Sequence, residues 1–501
     1  MIKEGRLLSY SILWGILFNF FFYRSAVGIS FPIFIGVSFY LFIRVLKDSD
    51  RFKVNRIWLF AVPITLLSLR FFLSSNYIFH FFNFLVILFL FIGMALVLSG
   101  KEKSDYANIG FPFKIIGSVF APIAYFTKPY TYLYQRWVFG KTENNYTELK
   151  KIILGILISL PLLLVILSLL SSADMVFQEM LFFIPTKLSK LFDNTVLADY
   201  FRQLLLIVFM ATYTYGFIWF LFIPKKIPIG NTSVPETAAT ASVKAKTNFF
   251  DGTILMTILV IVNAVYLIFC SIQFAFLFSG GFNTLPGNFT YAAYARQGFF
   301  QLLLVTMLNF SIILFSFYGL NPNQVSAQRW IKRLLFLMGI FTYIMIYSSY
   351  YRMGLYQQQY GYTYLRIFVY FFLSLETVLL TATLIYIFKP RFHLAKFYII
   401  TVLAFYVGLN YLNLDAMIAR NNIDRYFETG KVDIHYITTL SYDAVPELTR
   451  LLESKDFNIQ QALRYYYDTK GSIARQKATW KEFNLSRHKA VQAMSTWRFN
   501  N

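Results

Sequence analysis

The stretch Tyr362–Phe388, YTYLRIFVYFFLSLETVLLTATLIYIF, decides the fold. It has no glycine or proline, and its only charges are Arg366 near the start and Glu376 near the middle. As a helix it rises about 1.5 Å per residue, more than enough to cross a hydrocarbon core of about 30 Å. A helix that is apolar all round belongs in a membrane or a deep core. A carboxyl group at mid-span is then costly, by roughly 3 kcal/mol on insertion scales, unless it faces the bundle interior.

Working outward, ten further apolar runs of similar length lie at about 7–23, 26–46, 57–74, 77–99, 151–171, 202–223, 253–279, 298–319, 333–350 and 397–413. With 364–388 they make eleven. The composition agrees: the 501 residues are 57% hydrophobic and only 14% charged, against about a quarter charged in soluble chains. The expected fold is all-α, a polytopic transmembrane helix bundle of about eleven spans with a small helical C-terminal extramembrane module. The expected organisation is four spans in 1–100, an interfacial cytoplasmic connection over 101–150, and seven spans in 151–413. A flexible linker over 224–250 interrupts those seven, and the module takes 414–501. The apolar stretch after the basic N-terminus lacks an A-x-A cleavage site and reads as a retained span.

Basic residues test this count. With the N-terminus cytoplasmic, 25 Lys and Arg fall in cytoplasmic segments, 8 on the opposite side and 13 in the C-terminal region. Cytoplasmic loops are enriched in Lys and Arg, so the net charge of +22 reads as topology rather than nucleic-acid binding. Eleven spans put the C-terminal module outside the cytoplasm of a multi-pass cell-membrane protein. The aromatic and cationic stretch within 101–150 suits rings at headgroup depth among anionic phospholipids. A partly buried loop packed on the helices is the equal alternative. In the module, VPELTRLLES and NIQQALRYYYDT read as short amphipathic helices, with Asp443 and Asn458 as N-caps.

Motifs of recognisable chemistry are missing. FGKT at 139–142 has Gln135 where a phosphate-binding loop needs glycine. The four histidines are scattered, and Cys270 is the single cysteine. No metal site and no cofactor is expected. The expected partners are the lipid bilayer, anionic phospholipids and other envelope proteins.

Polar residues at depth give the candidate sites. Glu376 is ten residues beyond Arg366, about 15 Å along the helix axis, so the two do not pair. Asn263, Asn309 and Asn410 lie at comparable depth in other spans, and the four are expected to form one polar layer, with Glu376 contacting at least one asparagine. The layer is either a proton, ion or substrate site or a hydrogen-bonded glue between helices. Arg296 and Arg366 stand at outer span ends. They read as headgroup anchors or as a shared site for an anionic group.

Several strings carry a family resemblance. YAAYARQGFFQLLLV (291–305), YGYTYLRIFVYFF (360–372), LNLDAMIARNNIDRY with VDIHYITTLSYDAVPEL (412–448), and WKEFNLSRHKA (480–490) are similar to a bacterial membrane family catalogued as domain of unknown function 4173. The resemblance implies a polytopic bacterial membrane protein and no activity. Three classes stay open. They are an envelope scaffold or signalling partner, a transporter or lipid-handling protein using the midplane layer, and a membrane-embedded envelope-polymer enzyme.

Overall fold

The computed structural model describes residues 4–52, 55–102, 110–137, 196–223, 252–278, 291–318, 325–390 and 393–497. For 135–137, 196–198, 274–278, 291–300, 317–318 and 325–327 it describes the backbone only. The described residues are helical throughout, and ten segments are long and apolar enough to cross a membrane. Two compact units divide the chain: Met1–Lys226 with Lys477–Leu485, and Ile227–Gln476 with Ser486–Asn501.

The first unit contains α1 (Glu4–Phe22), α2 (Ser30–Asp48), α3 (Ala61–Leu73), α4 (Tyr77–Leu98), α5 (Gly110–Phe120), α6 (Lys128–Trp137) and α7 (Val196–Phe222). Hydrophobic collapse does not drive helices together in lipid, so close packing and small residues do that work. Gly15 of α1 illustrates this: a Cβ there would stand 2.6 Å from the Ile207 carbonyl of α7. An ion pair, Arg24 to Asp199 at 2.6 Å, joins the α1–α2 turn to the start of α7. The apolar core, with Leu46, Met94, Leu96 and Leu221 fully buried, lies toward the Glu4 end.

Residues 477–485 cross the other end of this unit. Glu482 accepts from Ser25 Oγ at 3.1 Å and from Ala26 N at 3.2 Å. Ile29 N donates to Phe483 O at 3.0 Å. Asn484 Nδ2 donates to Phe71 O at 2.9 Å and to Ser74 O at 2.7 Å. These contacts cover the α1–α2 and α3–α4 turns and pair backbone groups that helix ends leave open.

The second unit contains α8 (Gly252–Phe278), α9 (Tyr291–Tyr318), α10 (Val325–Tyr360), α11 (Tyr364–Phe388) and α12 (Leu394–Tyr411). Shorter helices follow: α13 (Leu414–Thr429), α14 (Ile434–Thr439), α15 (Val445–Leu448), α16 (Phe457–Tyr466), α17 (Ser472–Arg475) and α18 (Leu485–Ser495). The helix α10 is central, packing on α8, α9 and α11. Its stripe Ile331, Leu335, Met338 and Thr342 is wholly buried, as are Leu373, Leu380 and Ile387 of α11. A Cβ on Gly339 would meet Leu384 at 2.6 Å, so glycine sets the α10–α11 approach.

The observed spans differ in detail from the eleven apolar runs. The run 151–171 and the expected linker 224–250 lie outside the described residues. Within the expected interfacial connection, α5, a 3-10 turn (Ala121–Tyr125) and α6 pack on α4 and α7. Tyr130 and Thr212 share a 2.7 Å hydrogen bond, and a Cβ on Gly216 would stand 2.7 Å from Pro122 O. Thr212 is ten residues before Phe222, so this connection reaches about 15 Å along α7. Phe113 and Phe120 remain exposed. The caps also shift. Ser441 accepts from Asp443 N, and Asp456 accepts from Asn458 N. Each cap thus stands two residues before the one expected, because the helices there begin earlier than their apolar periodicity.

Replacing Gly28 tests the crossing segment. A Cβ there would stand 2.6–2.7 Å from backbone atoms of Glu482 and Phe483, which cannot swing aside. Gly28→Val is expected to cost about 1–3 kcal/mol and to speed tryptic cleavage after Lys477 or Lys481. Gly36→Val, with nothing within 4 Å of its Cβ position, is the control. Equal proteolysis of the two variants would contradict the packing.

Candidate functional site

The turn between α10 and α11 is where the second unit concentrates its polar contacts. The helix α10 ends at Gly361, whose φ of +80° is left-handed and suits glycine. Thr363 then opens α11 in extended backbone. Arg366 reaches back to donate to Gly361 O, and its guanidinium lies 4.4 Å from the Tyr356 ring centroid. Arg425 of α13 donates to Gln359 O at 2.6 Å. Two cations thus cap the carbonyl end of α10, where the helix dipole favours positive charge.

The module closes over the same turn. Asn422 of α13 receives Tyr362 N at 2.9 Å and donates to Tyr362 O at 2.8 Å, pairing both backbone groups of one residue. Tyr364 N donates to the Tyr436 hydroxyl at 3.0 Å. The Tyr364 hydroxyl donates to Asp415, which also accepts from Ser441 Oγ at 2.7 Å. Asp415 is buried at the start of α13, where the helix dipole favours a negative charge. Burial comes first among the effects that push the Tyr436 hydroxyl above its ordinary value.

Glu376 is buried at the middle of α11. Its Oε2 lies 3.1 Å from Thr306 Oγ1 of α9, which also lies 2.8 Å from Leu303 O. Among the described residues Glu376 Oε1 has no partner. A hydroxyl has one hydrogen, so Thr306 serves one of these acceptors at a time. A protonated acid supplies the second hydrogen, and then no unpaired charge is buried.

The expected polar layer divides. Asn309, one turn from Thr306, accepts from the Tyr266 hydroxyl and donates to Thr342 Oγ1 at 3.1 Å, tying α8, α9 and α10 together. Asn263 Nδ2 donates to Leu259 O at 2.7 Å and to Leu334 O at 3.2 Å. Asn410 stands one residue before the end of α12, away from mid-span, and donates to Tyr406 O. Glu376 therefore bonds to Thr306, not to an asparagine. Arg366 donates one hydrogen bond, from Nη1 to Gly361 O at the α10 end. The Arg296 side chain lies outside the described residues.

The module also holds a cleft of ≈ 1220 Å³, walled by α14 and α16. Lys470 lies in it but donates to Thr438 O, Thr439 O and Leu440 O at 2.9, 3.2 and 3.3 Å. Burial pulls its ammonium below the usual lysine value. Sequence reading missed this cleft. The signal for the joint was there: Asp415, Asn422 and Arg425 lie seven and three apart, on one face of α13.

These helices define an all-helical multi-pass membrane protein with a docked helical module. A family model described as Domain of unknown function (DUF4153) matches residues 61–451, and the chain belongs to that family. This corrects the resemblance to domain of unknown function 4173. Short Tyr, Arg and Gly strings discriminate poorly in a chain that is 20% aromatic. No curated protein matches the chain. No solved structure does either. Among the described residues no group of His, Cys, Asp or Glu has metal-binding geometry.

The hydrogen-bond pattern ranks three substitutions by thermal denaturation in detergent. Glu376→Gln and Glu376→Leu are both expected to stay within about 1 kcal/mol, because Thr306 retains Leu303 O. Asn309→Leu is expected to cost about 1–3 kcal/mol, because the half-buried Tyr266 hydroxyl loses its acceptor. A large loss in Glu376→Leu with none in Asn309→Leu would contradict this assignment.

Proposed function

We propose that this protein is a scaffold or signalling-partner protein of the bacterial cell envelope, with its C-terminal helical module acting as an extracytoplasmic docking module. One observation carries the reading: Asn422 holds both backbone groups of Tyr362, so the module is fixed to the α10–α11 turn rather than tethered. A fixed module transmits the position of whatever it holds to the membrane helices.

Two further observations support its side of the membrane. Residues 477–485 pack against the turns at the end of the first unit opposite Glu4. With a cytoplasmic N-terminus, that end is extracytoplasmic. The distribution of Lys and Arg points the same way. Interior hydrogen bonds such as Tyr266 to Asn309 and Asn309 to Thr342 join neighbouring helices, as a scaffold requires.

Labelling in intact cells tests the proposal. Cys270 is buried and is the single cysteine, so Cys270→Ala with Tyr465→Cys gives one exposed thiol. A membrane-impermeant maleimide is expected to modify it without lysis. A photocrosslinker at Tyr465 is expected to give discrete adducts that Asn422→Ala removes. Labelling only after lysis would refute the orientation, and adducts indifferent to Asn422→Ala would refute the fixed docking.

A further inference from the structure

We propose that the cleft between α14 and α16 binds an uncharged oligosaccharide through its hydroxyl groups. The inference rests on the module being a docking module and names what it docks.

The cleft is rich in acceptors whose own donors are already used. Thr438 donates to Ile434 O or His435 O, Thr439 to Tyr436 O, and Thr469 to Tyr465 O. Each hydroxyl then offers only lone pairs to a ligand. Asp433 and Asp456 each spend one oxygen on a helix N-terminus, at Tyr436 N and Asn458 N, and keep the other. Lys470 has committed its ammonium hydrogens to three carbonyls at the end of α14. A lining of this kind requires a ligand that supplies hydrogens.

That requirement excludes whole classes. Phosphates and carboxylates are acceptors and would meet two aspartates with no free ammonium. An apolar helix or lipid tail would bury these acceptors unpaired, at a cost for each one. Sugar hydroxyls donate and accept on adjacent carbons. The amides of Asn458 and Gln461, which have no hydrogen bonds among the described residues, match that pairing and supply the few donors needed.

The walls also suit a flat ring. Asn458, Gln461 and Tyr465 recur along one face of α16 at helical spacing, and Thr469 follows in the π-helical turn Tyr467–Gly471. Tyr465 is 72% exposed, an open aromatic surface on which the C–H face of a sugar can lie. A cleft of ≈ 1220 Å³ has room for a run of sugar rings rather than a single one.

The test uses the full chain in detergent, with chitotetraose and maltotetraose as neutral probes, read by saturation-transfer NMR on sugar ring protons. At least one is expected to bind, with affinity weakened about tenfold in Tyr465→Ala and in Gln461→Leu. Ile473→Ala, on an exposed residue outside the cleft, is expected to change nothing. Thermal denaturation verifies that each variant is folded. Spermidine and glycerol phosphate serve as competitors and are expected to leave the sugar signal intact. Absence of binding by both sugars overturns the inference, as does binding insensitive to Tyr465→Ala. Displacement by spermidine makes the cleft a cation site, and displacement by glycerol phosphate makes it an anion site; either also overturns it. A crosslinked protein adduct at Tyr465 without sugar binding would uphold the docking module and reject the sugar. Labelling only after lysis would reject the orientation and leave the sugar test standing.

Discussion

The carbonyl end of α10 sets the terms for much of the second unit. A helix end leaves backbone groups unpaired, and near a membrane they need partners from the protein. Gly361 lets the chain turn, and Arg366, Arg425 and Asn422 take the exposed backbone groups. Two of these three side chains belong to α13. The last membrane helix is therefore followed at once by a helix bonded to an earlier turn. A Cβ on Gly361 would collide with Oδ1 of Asn422, whose side-chain amide is held by both backbone groups of Tyr362.

Inside the bundle the same rule acts on side chains. Leucine contacts with lipid and with protein are nearly equivalent, so polar pairs and close approaches decide which helices meet. Tyr266, Asn309 and Thr342 join three helices, and Gly339 admits Leu384. Glu376 contributes less than its charge suggests. Its partner among the described residues, Thr306, is already satisfied by a backbone carbonyl. The residue that stands out most in the sequence is thus a weaker structural contributor than a neighbouring amide.

Helix formation also shapes the cleft. Threonines on a helix return their hydrogens to carbonyls one turn back, and helix-capping aspartates give one oxygen to an amide. A surface built from such residues is left with acceptors. Local folding of α14 and α16 thereby selects the chemistry of what the cleft can hold.

Much of the fold was legible from composition and length, because a bilayer sets a minimum apolar run and penalises charge within it. Tyr364–Phe388 is a helix long and apolar enough to span a membrane, and Glu376 is buried within it. Depth along a helix was less secure. Asn410 looked central, but α12 stops at Tyr411 and Asn413 turns the chain left-handed, which leaves Asn410 at the helix end. Position around the axis was not legible, so nothing in the sequence chose Thr306 over Asn309 as the partner of Glu376. The polar face of α13 could be read from the sequence, but its partners at the joint, and the cleft, belonged to tertiary structure. Asn422 and Tyr362 are sixty residues apart, and only the antiparallel return of α11 and α12 carries one back to the other. Sequence fixes which groups need a partner, since that follows from the chemistry of each residue. Which partner each receives depends on the geometry of the chain's return.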